Sequence, residues 1–237
     1  MFYKQMMAFL LAAALASPFA ASANEEVHGD VALAQAMINE IQQNDAAYIA
    51  AHNAAFFQEL SKGQHPRATV VTCSDSRVHT NMMEKTPEGD IFMIRNIGNQ
   101  LSTAKGSVQY GVNHLGSSLL LIIGHSRCGA IAAASSDYSK LEEPIKKELD
   151  TIHIAKGDAS INSVKINVNN QVAEAIKEWS AKIKAGELMV VGAVYDFADD
   201  MKQGSGKLNI ININGETDPA KMRIAAATHA KDAHSRH

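Results

Sequence analysis

Two hydrophobic rhythms run along the chain. Short uninterrupted apolar runs stand between longer stretches in which apolar residues return at helical spacing. From Asp30 to Ser61 the sequence is rich in Ala, Gln, Asn and Glu and has no Pro or Gly, and Val31, Leu33, Met37, Ile38 and Ile41 recur on a helical period. With Asp30 as N-cap, this predicts two helices, or one bent helix broken at Asn44-Asp45, ending before Gly63. Ala68 to Thr72 reads as a buried strand, followed by strands over Asp90 to Ile94, Ser118 to Ile123, Leu188 to Tyr195 and Leu208 to Ile213. Gly106 to Leu115 and Val164 to Ala185 read as helices between them, and Gln203 to Gly206 as a turn. The expected fold is α/β, a mostly parallel central sheet flanked by helices, with an N-terminal helical arm. Ligands of such sheets bind beyond the carboxyl ends of the strands. Cys73 falls just past the end of the first strand, and His125 and Cys128 just past the end of the third.

Composition narrows the class. At 237 residues the chain suits one domain, and a net charge of -3 with no long basic run argues against nucleic acid or an anionic membrane as partner. The first 23 residues stand apart. Lys4, the apolar run Met6 to Ala16, Ser17-Pro18 and Ala21-Ser22-Ala23 form the pattern of a secretory signal cleaved before Asn24. That run is shorter than the roughly 20 residues that span a bilayer. Residues 24–237 then form a single exported, soluble domain, residues 24–63 being its helical arm, and a bacterial periplasm is the expected location. Loss of Lys4 shifts the net charge from -3 to -4.

Export sharpens the meaning of the two cysteines, because an oxidising compartment favours a disulfide. Cys73 sits in Val70-Val71-Thr72-Cys73-Ser74-Asp75-Ser76-Arg77-Val78, and Cys128 in Gly124-His125-Ser126-Arg127-Cys128-Gly129. His125 and Cys128, three apart in a turn, can reach one point, with Cys73 as a third ligand; two thiolates and an imidazole suit zinc and leave a fourth position open. A disulfide explains the cysteines but not the acid, the base and the imidazole beside them. Spacing alone leaves metal and disulfide both open.

Three motifs go further. CSDSRV at 73–78, Arg95-Asn96-Ile97-Gly98-Asn99, and Gln109-Tyr110 leading into LLLIIGHSRCGA resemble the β-class carbonic anhydrases, in order and at suitable separations. Val190 to Asp196 resembles that family's late strand, and the likeness covers about Gln64 to Ile213. It implies one Zn2+ per subunit on Cys73, His125 and Cys128. It also implies that Arg77 pairs with Asp75 to keep the fourth position for water, whereas in some members Asp75 turns onto the metal at low pH. The implied reaction is reversible hydration of carbon dioxide to bicarbonate and a proton by zinc-bound hydroxide. Relatives that hydrolyse carbonyl sulfide or carbon disulfide, and a non-catalytic zinc- or bicarbonate-binding protein, are the alternatives. By position Gln64 and Tyr110 match family residues lining the carbon dioxide pocket. Arg95 is expected to brace the loop or the subunit contact rather than touch substrate, His79 is a candidate proton shuttle, and His229, His234 and His237 suggest a solvated tail. Family members work as homodimers or homotetramers clasped by N-terminal helices. Regulated bacterial members carry tryptophan three residues before the first zinc cysteine; Val70 stands there, which argues against an allosteric bicarbonate pocket.

Overall fold

A computed structural model describes residues 30–223, so the expected signal segment and the histidines of the tail lie outside the described residues. Two compact units divide the chain, Met1–Ala54 and Ala55–His237.

The first unit contributes helix α1, Val31–Ala51. The Asp30 carboxylate accepts the Ala32 N–H at 2.8 Å and so satisfies one of the free amides of the first turn. The expected break at Asn44-Asp45 is absent; α1 runs through both residues. Asn and Asp in a helix interior weaken it by only a fraction of a kcal/mol each, about 0.7 at most, too little to stop the turn there. The helix ends at His52, which is extended at φ -121° and whose Nδ1 lies 2.7 Å from the Tyr48 carbonyl. No residue of α1 is buried.

The second unit begins with the short helix α2, Ala54–Ser61. Five strands follow, β1 (Ala68–Cys73), β2 (Ile91–Asn96), β3 (Leu119–His125), β4 (Met189–Asp196) and β5 (Lys207–Ile213). They stand in the order β2-β1-β3-β4-β5, with β1 to β4 parallel and β5 antiparallel at one edge. Each expected strand is present, shifted by a residue or two. As a result Cys73 and His125 are the last residues of β1 and β3, not the first beyond them. Because these strands are neighbours, with Thr72 opposite Ile123, the two side chains emerge side by side at one sheet edge.

Helices fill the crossovers: α3 (Lys105–Gln109, continued by a π turn over Tyr110–His114), α4 (Gly129–Ser135), α5 (Glu143–Leu149) and α6 (Ile161–Lys184). On α6, Val164, Val168, Val172, Ala175 and Trp179 form one buried stripe at helical spacing. Burying each valine contributes roughly 1.5–3 kcal/mol, which seats the helix on the sheet far more firmly than its exposed polar face could. The approach is close. A Cβ on Gly124 would lie 2.7 Å from Val168, and one on Gly192 would lie 2.8 Å from the same residue. Among the described residues no helix is long and apolar enough to cross a membrane.

Candidate metal centre

Three side chains meet at the carboxyl edge of β1 and β3. The ligand atoms of Cys73, His125 and Cys128 all lie within 4.8 Å of one another, and all three residues are buried. The sulfurs are unlinked. His125 is fully enclosed. Its Nδ1–H faces the Ser126 carbonyl at 3.0 Å, which leaves Nε2 with an in-plane lone pair. Nε2 is buried without a hydrogen-bond partner. A buried, unpartnered lone pair beside two sulfurs is what an absent cation would satisfy. The residues therefore fit a thiolate- and imidazole-bound metal ion.

The two thiols are shifted in opposite directions. The Cys73 thiol is pulled well below its usual range, first by the hydrogen bond from Cys128 and then by the backbone N–H groups of Gly98 and Asp75, burial opposing them. The Cys128 thiol is pushed up by that same hydrogen bond with Cys73 and by its burial. A cation binding both sulfurs would take them as thiolates and release their protons.

Around this cluster stands a charged pair. Arg77 Nε–H donates to Asp75 Oδ1 at 2.8 Å and Nη2–H to Oδ2 at 2.6 Å, while the Arg77 backbone N–H reaches Oδ1 at 3.0 Å. This two-pronged pairing with Arg77 holds the Asp75 carboxyl far below the ordinary carboxylate range, burial opposing it. Asp75 Oδ2 lies 3.7 Å from His125 Nε2. Arg95 braces the loop from beneath, donating from Nε to the Cys73 carbonyl at 3.2 Å and from Nη2 to the Asp75 carbonyl at 2.7 Å. That is the role the sequence suggested for it.

With this geometry in view, comparison with known proteins is informative. The model of the family described as "Carbonic anhydrase" matches residues 68–204. The chain belongs to the β-carbonic anhydrase family. A Synechocystis protein named "Carbonic anhydrase" is 36% identical over 104 residues, covering 41% of this chain and 38% of that protein. The chain thus spans less than two-fifths of that relative's length. "Carbonic anhydrase 2" of Mycobacterium tuberculosis is 27% identical over 154 residues, 59% of this chain and 74% of that protein. A solved Sordaria macrospora structure, one of "two tetrameric beta-carbonic anhydrases", superposes with a TM-score of 0.60 at 25% identity, over 75% of this chain and 98% of that one.

Not every family-matched residue joins the cluster. Gln64 is exposed in the loop before β1. Tyr110 is 49% exposed, its ring 5.9 Å from Phe92 and 5.7 Å from His114. No hydrogen bond or ring contact ties either to the cysteines or to His125 among the described residues. His79 is exposed ahead of a short 3-10 turn. Val70, where regulated members carry tryptophan, is fully buried in β1.

Two features escaped the sequence. The first is a buried amide network behind the metal loop. Gln100 Nε2 donates to the Gly98 carbonyl at 2.6 Å and to Asn167 Oδ1 at 2.9 Å; Asn167 Nδ2 donates to the same carbonyl at 3.0 Å; Gln171 Nε2 donates to Gln100 Oε1 at 3.0 Å. This network fixes Gly98, whose φ is +77° and whose N–H faces the Cys73 sulfur. Asn167 and Gln171 sit four apart on α6, beside Val168 and Val172, so their spacing already placed them on the buried face. The second is Phe197, just past β4, whose ring lies against both Arg77 and His125. Nothing in its position along the chain announces that contact.

Proposed function

We propose that this chain catalyses the reversible hydration of carbon dioxide to bicarbonate, with one Zn2+ held by Cys73, His125 and Cys128. The observation that carries the reading is the pairing of Asp75 with Arg77 next to the unpartnered His125 Nε2. A site that merely stored metal would have no use for a carboxylate locked beside the ligands and turned away from them. The bound ion would supply a Lewis acid able to lower the pKa of water to about 7, a value whose reference example is itself a carbonic anhydrase.

The chain's own groups do the rest. Arg77 keeps Asp75 ionised, so its free lone pairs can accept a hydrogen bond from water and orient that water toward an incoming carbon atom. Arg95 fixes the Cys73 and Asp75 carbonyls and thereby the loop carrying both side chains. Carbon dioxide offers no charge to grip, so apolar surface has to seat it. Gln64 and Tyr110 are proposed to line that pocket. Their exposure in a single chain suits a homodimer or homotetramer in which a second subunit covers them; the tetrameric Sordaria relative supports such an assembly. The leader-like pattern of residues 1–23 supports an exported location as part of this proposal.

Metal analysis and a stopped-flow hydration assay on purified protein test the reading together. Near-stoichiometric zinc with rapid hydration is expected, and both should be lost in Cys73→Ser. A variant keeping full zinc and full activity would sink the proposal. Turnover of carbonyl sulfide exceeding that of carbon dioxide would assign the site to the hydrolase branch instead.

A further inference from the structure

Arg77 is long and half exposed, with 49% of its side chain open to solvent, yet it must hold one geometry against Asp75. Exposed ion pairs rarely hold a side chain that well, because solvent screens them and rotamer entropy opposes them. The structure shows what compensates. Beyond Asp75, the Arg77 guanidinium touches two other groups. Its Nη2–H also reaches the Arg127 carbonyl at 3.3 Å, and its Cζ stands 4.6 Å from the centroid of the Phe197 ring. That ring is itself stacked with His125 at 5.9 Å and edge-on to Tyr195 at 5.7 Å.

The Phe197 backbone is anchored as firmly as the ring. Asp196, which precedes it, is fully buried, and its carboxylate accepts the N–H of Asp200 at 3.0 Å and of Met201 at 2.7 Å. The Gly206 N–H closes on the Asp196 carbonyl at 2.8 Å. The loop also reaches back across the site, Asp200 lying 3.6 Å from the Arg127 guanidinium. A rigid loop therefore presents an aromatic face where Arg77 needs a surface, and a planar guanidinium stacks on such a face in a way few other side chains can.

We propose that Phe197 is a positioning residue that holds Arg77 in register with Asp75 and so keeps the carboxylate from turning onto the metal. This rests on the metal reading above. With the ring present, the guanidinium is held in the slot between Phe197, the Arg127 carbonyl and Asp75. Without it, Arg77 has solvent rotamers open to it, and Asp75, 3.7 Å from His125 Nε2, is free to compete for the open metal position.

The test uses cobalt(II)-substituted protein and azide as the probe, read from the visible absorption of the cobalt. Azide needs the position that Asp75 would take. Phe197→Leu keeps apolar bulk and removes the aromatic face; it should weaken azide binding about threefold to tenfold, the range a lost cation–π contact gives. Phe197→Tyr keeps the face and should stay within about twofold of the parent. In an Asp75→Asn background the Leu substitution should leave azide affinity unmoved, because no carboxylate remains to compete. An unchanged affinity in Phe197→Leu, an equal loss with Tyr, or the same loss in the Asp75→Asn background would each overturn the proposal. The last two outcomes mark a purely structural residue. If the parent takes up no cobalt, the metal reading falls and this proposal falls with it; cobalt uptake with invariant azide binding removes the proposal alone.

Discussion

The two loops beyond β1 and β3 each carry a Ser-Arg step, Ser76-Arg77 and Ser126-Arg127, close to a cysteine of the candidate metal cluster. The dipeptide is shared and the outcome is not. Arg77 is clamped by a carboxylate, a carbonyl and an aromatic ring. Arg127 is 65% exposed, adopts the left-handed φ of +53°, and among the described residues pairs through its side chain with Asp200 at 3.6 Å. Its working part is its backbone, since its carbonyl steadies Arg77 and its φ turns the chain from His125 back to Cys128. An arginine in a metal loop is thus a charge in one case and a turn in the other. The neighbours decide which.

The comparison breaks most visibly at the ligands themselves. Cys73→Ser and Cys128→Ser each replace a soft thiolate by a hydroxyl that stays protonated, so metal content should fall below about one-tenth of the parent. Plasma emission analysis of the purified variants checks this. Equal and nearly complete loss in both would show that the two loops contribute alike to the ion, however different their arginines.

The arginines come next. Arg77→Ala should lower hydration kcat/KM about tenfold to hundredfold, the usual loss when a group orienting the metal's surroundings is removed. Arg77→Lys should recover little of it, because an ammonium cannot pair both carboxylate oxygens and stack at once. Arg127→Ala should stay within about threefold of the parent, as its exposed ion pair contributes little. Equal losses at the two positions would erase the distinction drawn here.

A smaller effect lies in stability. Arg77 holds the folded Asp75 carboxyl below its ordinary value, so the pair's contribution is complete above the unfolded pKa of about 4 and fades as pH falls through the folded value. In metal-free protein, Asp75→Asn should cost about 1 kcal/mol between pH 5 and pH 7, the half-exposed Arg77 keeping the figure low, and the gap should close in strong acid. Urea denaturation across that range reads it directly. A gap that widened on acidification would contradict the pairing. Least of all, Arg127→Gly relieves a left-handed φ but loosens the unfolded chain, and its melting temperature should shift by no more than a few degrees.

Much of this was legible in the chain. Buried parallel strands read as short apolar runs, so all five strands and the side-by-side delivery of Cys73 and His125 could be anticipated. The candidate ligands and the Asp75-Arg77 pair were legible through the resemblance of whole motifs, since spacing alone left metal and disulfide both open for the two cysteines. What escaped was of another kind. α1 continues through Asn44-Asp45 and the break falls instead at His52-Asn53, also without Gly or Pro, so weak helix formers alone do not locate it. α4 and α5 are two-turn helices, too short to display a period. Phe197 and the amides of α6 act through residues some seventy to one hundred and twenty positions away, such as Gly98 and Arg77. That adjacency is made by sheet order and helix seating, which no local pattern records.

Gly124 and Gly192 carry a consequence of their own. Because neither has a Cβ, α6 can lie close enough to the sheet for Asn167 and Gln171 to reach the loop that faces Cys73. The distance between a helix and a sheet is thereby converted into the placement of a sulfur. A methyl group added to either glycine would act as a shim, prying the helix outward and loosening the loop at its far end. Mutational screens blind to mechanism should therefore find inactivating changes at two positions that have no side chain to take part in the chemistry.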